Sequence, residues 1–180
     1  MASTAKTLTF VIPAYNMESY LDRCVNSLLS ASDISDLEVL IVDDGSKDGT
    51  LEYARKLERT NPGAVRAIHQ ENKGHGAVNT GIAAATGMYV KVVDADDWVD
   101  PQAIDTVLAT LRAQHDTDEP IDMLVTNYVY DKVAKRHKTV VNFRRVMEAG
   151  RVLGWASSVW RSTSSCMRSP SARRWCAIPG

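Results

Sequence analysis

Three aspartates, Asp94, Asp96 and Asp97, fall within four positions directly after the apolar run Met88 to Val93. Strand-forming residues of that kind deliver the acids to one edge of a sheet, and Pro101 suits the first turn of the helix that follows. Crowding them is unfavourable: two carboxylates about 4 Å apart repel by roughly 4 kcal/mol at an effective dielectric near 20. A divalent cation removes that penalty, and hard oxygen ligands select magnesium, manganese or calcium. A bare D-x-D pattern is equally compatible with a solvated, helix-capping turn. Its neighbours must decide.

Other segments offer complementary chemistry. Tyr15, just past a first apolar run, presents a flat face for a nucleobase. Asp43 or Asp44 could accept a hydrogen bond from an imide N–H, a feature of uracil and thymine. Gly45 and Gly49 let backbone approach a ligand. Lys73, Gly74 and Gly76 precede a helix whose free N–H groups and dipole suit a diphosphate. Asp94 could bind ribose hydroxyls while Asp96 holds a metal against the diphosphate. Each feature alone has a plainer reading: a packed loop aromatic, a tight turn, a surface lysine.

The elements that must position these residues alternate regularly. Leu8–Ile12 reads as a buried strand stopped by Pro13, and Asn16 as the cap of a helix with Leu21, Cys24, Val25, Leu28 and Leu29 on one face. Leu37–Val42 is a second strand, apolar enough to be covered on both faces. Thr50–Arg59 is an amphipathic helix, Ala64–His69 a weaker strand, and Ala77–Thr86 a small-residue helix closed by Gly87 at C′. Met88–Val93 is the fourth strand, and Pro101–Arg112 a helix with Ile104, Val107, Leu108 and Leu111 inward. Strands are expected again at Met123–Tyr130 and Thr139–Phe143. This order predicts an α/β domain, a mostly parallel sheet with right-handed crossovers and helices on both faces. Ligands of such sheets bind beyond the carboxyl ends of the strands, where Tyr15, Asp43, Asp44 and the Asp94–Asp97 cluster would converge.

Bulk properties narrow the partners. The 180 residues suffice for one domain with a core. A net charge of −1 makes no electrostatic case for nucleic acid or an anionic membrane. Cys24, Cys166 and Cys176 show neither metal-ligand spacing nor a disulfide framework, which points to a reducing, cytoplasmic setting. No apolar stretch has the length of a membrane span, and Met1–Thr7 does not lead into a signal-peptide core. Beyond Glu148 there is no Asp or Glu, while Ser and Arg abound and Trp155, Trp160 and Trp175 follow no period. The expectation is a domain over 1–148 and an atypical, poorly ordered tail over 149–180, as a frame-shifted or truncated end would produce.

Taken together, Ile12-Pro13-Ala14-Tyr15-Asn16, Val42-Asp43-Asp44-Gly45-Ser46-Lys47-Asp48-Gly49-Thr50, Asn72-Lys73-Gly74-His75-Gly76-Ala77-Val78-Asn79-Thr80-Gly81 and Asp94-Ala95-Asp96-Asp97 resemble the family 2 glycosyltransferases. The likeness covers about residues 7 to 112 and, more loosely, to Met147. It implies a GT-A fold with a Rossmann-like nucleotide-binding half, inversion at the sugar anomeric carbon, and a nucleotide-sugar donor, often a UDP-sugar, with Mg2+ or Mn2+ on its diphosphate. By position it implies that Pro13, Tyr15, Asp43 and Asp44 lie around the base. It further implies that Lys73, Gly74 and Gly76 face the diphosphate, Asp94 the ribose, and Asp96 with Asp97 the metal. Cell-surface polysaccharide or glycoconjugate synthesis follows, with a glycan or lipid-linked acceptor and peripheral association at the inner membrane face. The family's general base lies on a later segment, and the acid-free tail offers none; a catalytically silent copy that only binds nucleotide sugar and metal is therefore the alternative. Gly74-His75-Gly76 is a poor dinucleotide fingerprint, because Asn79 stands at its third glycine. A phosphoacceptor reading lacks downstream Thr and Lys partners, and a D-x-D phosphatase reading leaves Tyr15 and Asp43-Asp44 unexplained.

Overall fold

The computed structural model describes residues 6–71, 76–115, 117–118, 120–130, 138–143, 152–154, 165–168 and 174–177. The chain forms two compact units, Met1–Ala113 and Gln114–Gly180. The first contains β1 (Lys6–Ala14), α1 (Glu18–Leu28), β2 (Leu37–Asp44), α2 (Thr50–Thr60), β3 (Val65–Gln70), α3 (Gly76–Ala84), β4 (Gly87–Val92) and α4 (Pro101–Arg112). Its strands lie side by side in the order β3-β2-β1-β4, all parallel, with Leu8 opposite Leu37 and Tyr89, and Val39 opposite Val65. The α/β expectation holds.

Both faces of this sheet are covered, which is why every residue of β2 is buried. Val11, Leu40, Val42 and Ala77 form a core on the α3 side, joined by Ile68, Ala84, Val90 and Val92. Gly81 allows the close approach there: a Cβ at that position would lie 2.2 Å from Val11 Cγ1. Helices α2 and α4 pack on the sheet and α1 packs against both of them, burying Leu21, Cys24, Val25 and Leu28 from α1 and Ile104, Leu108 and Leu111 from α4. Full burial of each large aliphatic side chain is worth about 1.5–3 kcal/mol. Asp100 caps α4, accepting from the Gln102 and Ala103 N–H groups at 2.9 and 3.2 Å.

Glu38 is one of several buried carboxylates among the described residues. Glu38 accepts from Thr9 Oγ1 at 2.7 Å, from the Thr86 N–H and hydroxyl at 2.9 Å each, and from Arg66 Nη1 at 2.6 Å. Burial pushes its carboxyl up, but these donors outweigh burial and hold it below the ordinary glutamate value. The network ties the start of β4 to β1 and β2.

Three local expectations need correction. Pro13 does not stop β1, which runs on to Ala14. The Val11 carbonyl accepts from Val93 N–H on the β4 side, so Pro13, two residues on, faces the same side beyond the end of β4, where no ladder donor is required. Gly87 opens β4 rather than closing α3, because a Cβ there would meet Thr9 N at 2.6 Å. The strand expected over Met123–Tyr130 is two strands, β5 (Met123–Val125) and β6 (Tyr128–Tyr130).

In the second unit, β6 pairs antiparallel with β7 (Thr139–Val141), and Tyr128 and Tyr130 meet edge to face at 5.2 Å. The fully buried β5 lies between β9 (Ser165–Arg168, antiparallel) and β10 (Arg174–Ala177, parallel), with β8 (Val152–Gly154) antiparallel on β10. Three short strands, β8, β9 and β10, lie within residues 149–180. Ladder pairing satisfies backbone groups whatever the side-chain pattern, so the missing apolar period was no guide to it.

Candidate functional site

Parallel pairing brings the carboxyl ends of β1, β2 and β4 to one edge. Ala14 is opposite Asp43, and Val11 opposite Val92 two residues before Asp94. The two loops leaving β1 and β2 are stitched together. Asn16, in the left-handed region at φ 54°, donates its N–H to Ser46 Oγ at 3.0 Å and accepts from Lys47 N–H at 2.9 Å. Met17 N–H donates to Thr50 Oγ1 at 2.8 Å, and Gly49 N–H to Glu18 Oε2 at 3.0 Å. Asn16 therefore does not cap α1 as expected: α1 starts from Met17 without a side-chain cap, and the Asn16 amide is spent on the neighbouring loop. Tyr15, carried on this rigid pair of loops, is 42% exposed, and Pro13 is half-buried behind it.

The two acids at the end of β2 have different surroundings. Strand alternation sends Asp43 and Asp44 to opposite faces. Asp43 is fully buried; its Oδ2 lies 2.7 Å from His69 Nδ1, and its Oδ1 accepts from Ser46 N–H at 3.3 Å. Asp44 accepts through Oδ1 from Gln70 Nε2 at 2.6 Å, and Gln70 Oε1 accepts in turn from Thr80 Oγ1 on α3. The sequence reading missed His69, Gln70 and Thr80. Two polar residues closing the strand after Ala67 and Ile68 were the available signal, but only the β2–β3 register, Asp43 to His69 and Asp44 to Gln70, makes them partners.

Asp94, Asp96 and Asp97 are all exposed, while Ala95 between them is buried. The Asp97 N–H closes a turn on the Asp94 carbonyl at 2.9 Å, and that carbonyl also accepts from Cys24 Sγ at 3.7 Å. The crowding is felt electrostatically. Partial burial, then Asp94 and Asp96, push the Asp97 carboxyl above its ordinary value against the opposing charge of Lys91. Burial first, and then Asp97, Asp96 and Asp94, push the Cys24 thiol up to about 12. Among the described residues no group of three or more His, Cys, Asp or Glu side chains is arranged to hold a metal ion by itself. An open, oxygen-only edge of this kind fits a hard divalent ion whose remaining ligands come from substrate phosphates and water.

Gly76 is the first residue of α3, and Ala77 after it is buried against the sheet. Lys73 and Gly74 lie outside the described residues.

The family model described as Glycosyl transferase family 2 matches residues 9–156. Chondroitin synthase of Escherichia coli is 42% identical over 106 residues, which are 58% of this chain and 15% of that protein. Staphylococcus aureus TarS 1-349, solved in complex with UDP-GlcNAc, superposes with a TM-score of 0.69 at 20% identity, over 97% of this chain and 59% of that one. The mannosyltransferase PcManGT of Pyrobaculum calidifontis, solved with GDP-Man and Mn2+, gives 0.56 at 25% identity over 69% of this chain and 36% of that one. The chain thus spans less than two thirds of each of these relatives. The TarS likeness establishes the GT-A fold, and with the match over residues 9–156 this chain belongs to glycosyl transferase family 2.

Proposed function

We propose that this chain is the donor-binding part of a glycosyltransferase that uses a nucleotide sugar, in the first instance a UDP-sugar, to build a cell-surface polysaccharide or glycoconjugate. The carrying observation is the gathering of Tyr15, Asp44 and the Asp94–Asp97 loop at one edge of the parallel sheet. Tyr15 stacks on the base, backed by Pro13, and Asp44 accepts the imide N–H while Asp43 locks the strand end through His69. Gly76, at the start of α3, and Lys73 and Gly74 before it in sequence bind the diphosphate. Asp94 takes ribose hydroxyls, and Asp96 with Asp97 holds Mg2+ or Mn2+. A bound divalent cation would neutralise the charge that builds on the departing diphosphate.

Inverting transfer also needs a carboxylate to take the acceptor's proton. Residues 149–180 contain no Asp or Glu, and this favours a second reading, a copy that binds nucleotide sugar and metal without turning over. The acceptor is a glycan or a lipid-linked sugar. The chain works in the cytoplasm and docks peripherally at the inner membrane face; among the described residues no helix is long and apolar enough to cross a membrane. Incubation with UDP-sugars and Mn2+, followed by release of UDP, separates the readings. UDP release that depends on an added acceptor supports transfer, and its absence alongside tight UDP binding supports the silent copy. Failure to bind any nucleotide diphosphate overturns both.

A further inference from the structure

Helix α1 touches the acidic loop at three points that flank its carboxylates. Arg23 Cζ sits 3.3 Å from the centroid of the Trp98 ring, directly after Asp97. Ser27, one turn on and on the same face, accepts the Val99 N–H through Oγ at 3.1 Å and donates to the Cys24 carbonyl at 2.7 Å. Cys24 Sγ in turn donates to the Asp94 carbonyl at 3.7 Å. The loop is therefore gripped at residues 94, 98 and 99 by a single helix, with Ala95 buried, while the Asp96 and Asp97 side chains between the grips stay exposed.

We infer that Arg23 and Ser27 are positioning residues for the acidic loop: they fix its backbone so that Asp96 and Asp97 are presented together to a cation-bound diphosphate. The inference rests on the donor-site reading above. Like charges repel, so without a brace the loop relaxes by spreading its acids, and the cation would have to gather them again at the expense of affinity. Arg23 acts as a flat cap on the indole rather than as a counter-charge. Its Cζ lies over the Trp98 ring at 3.3 Å from the centroid. A lysine would keep the charge but lose the planar stack.

The test uses the full chain and the variants Arg23→Met, Arg23→Lys and Ser27→Ala. UDP binding is measured by calorimetry in Mn2+, and hydrogen exchange is followed over residues 94–100 without nucleotide. Arg23 is exposed, so its variants should fold with little change in melting temperature. Arg23→Met should speed loop exchange and weaken UDP binding roughly three- to tenfold, with Arg23→Lys between it and the parent. Ser27→Ala should speed exchange at Val99. A folded Arg23→Met chain with parental exchange and parental UDP affinity overturns the inference alone. A parent chain that does not bind UDP in Mn2+ overturns the donor reading, and the inference with it.

Discussion

Asp43 and His69 face each other across β2 and β3, with Asp43 Oδ2 2.7 Å from His69 Nδ1 and the carboxylate shut off from solvent. This pairing divides the work between two adjacent acids. Both are buried; on the donor-site reading Asp43 serves the fold, while Asp44, on the opposite face and held through one oxygen by Gln70, meets the base. Asp43→Asn should therefore cost about 1–3 kcal/mol of stability, the usual penalty for disrupting a buried charged hydrogen bond. Asp44→Asn keeps an acceptor for Gln70 and should change stability by less than about 1 kcal/mol, while weakening UDP binding. Denaturant unfolding beside UDP titration checks both; the reverse pattern would exchange the two roles.

Base selectivity follows from the same edge. With Tyr15 stacking and Asp44 reading an imide N–H, UDP and TDP should bind roughly ten- to hundredfold better than CDP and GDP. Tyr15→Ala should weaken every nucleotide by about 1–3 kcal/mol, since stacking is indifferent to base identity. Competition with the four diphosphates measures this. GDP in first place would overturn the uracil assignment and leave the acidic loop's role standing.

How α3 packs makes a prediction free of ligands. A Cβ at Gly81 would lie 2.2 Å from Val11 Cγ1, so Gly81→Ala must push the helix off the sheet. Overpacking of this kind costs about 1–3 kcal/mol, and thermal unfolding should register it despite alanine's better helix propensity. A variant as stable as the parent would show that α3 has room to shift.

Acid sensitivity should centre on the junction of α4 and β2. Arg112 hydrogen-bonds Asp36 and, against the opposing effect of burial and with help from Thr7, brings its carboxyl down to about 2 from an ordinary 3.8. A carboxyl depressed in the folded state stabilises fully above its unfolded value. That contribution, on the order of 1–2 kcal/mol, is lost as pH falls from about 4 to about 2. Arg112→Met should therefore be less stable than the parent at pH 6, with the gap closing below pH 3. A gap that stays constant with pH would assign the loss to packing instead.

Much of this was readable in the residues. The apolar runs Leu8–Ile12 and Leu37–Val42, and the helical stripe Ile104, Leu108 and Leu111, specify buried elements by period and length. The order of those elements then brings Tyr15, Asp43 and Asp94 to one edge. What escaped depends on contacts between distant segments. Asn16 looked like a helix cap because Asn is a good one, but Lys47 N–H competed for its amide. His69 and Gln70 became site residues only through the β2–β3 register. Strands β8, β9 and β10 draw on backbone pairing with β5 and each other, which leaves no imprint on side-chain period.

The acidic loop is where a metal would meet the donor diphosphate. Calorimetric titration of UDP into the full chain in Mn2+, in EDTA, and in Mn2+ with Asp96→Asn tests it in one series. Binding should be seen in Mn2+, fall by at least an order of magnitude in EDTA, and become insensitive to Mn2+ in Asp96→Asn, because an amide supplies no charge to a hard cation. Equal UDP affinity in Mn2+ and in EDTA would contradict the proposal that these aspartates hold a metal against the donor diphosphate.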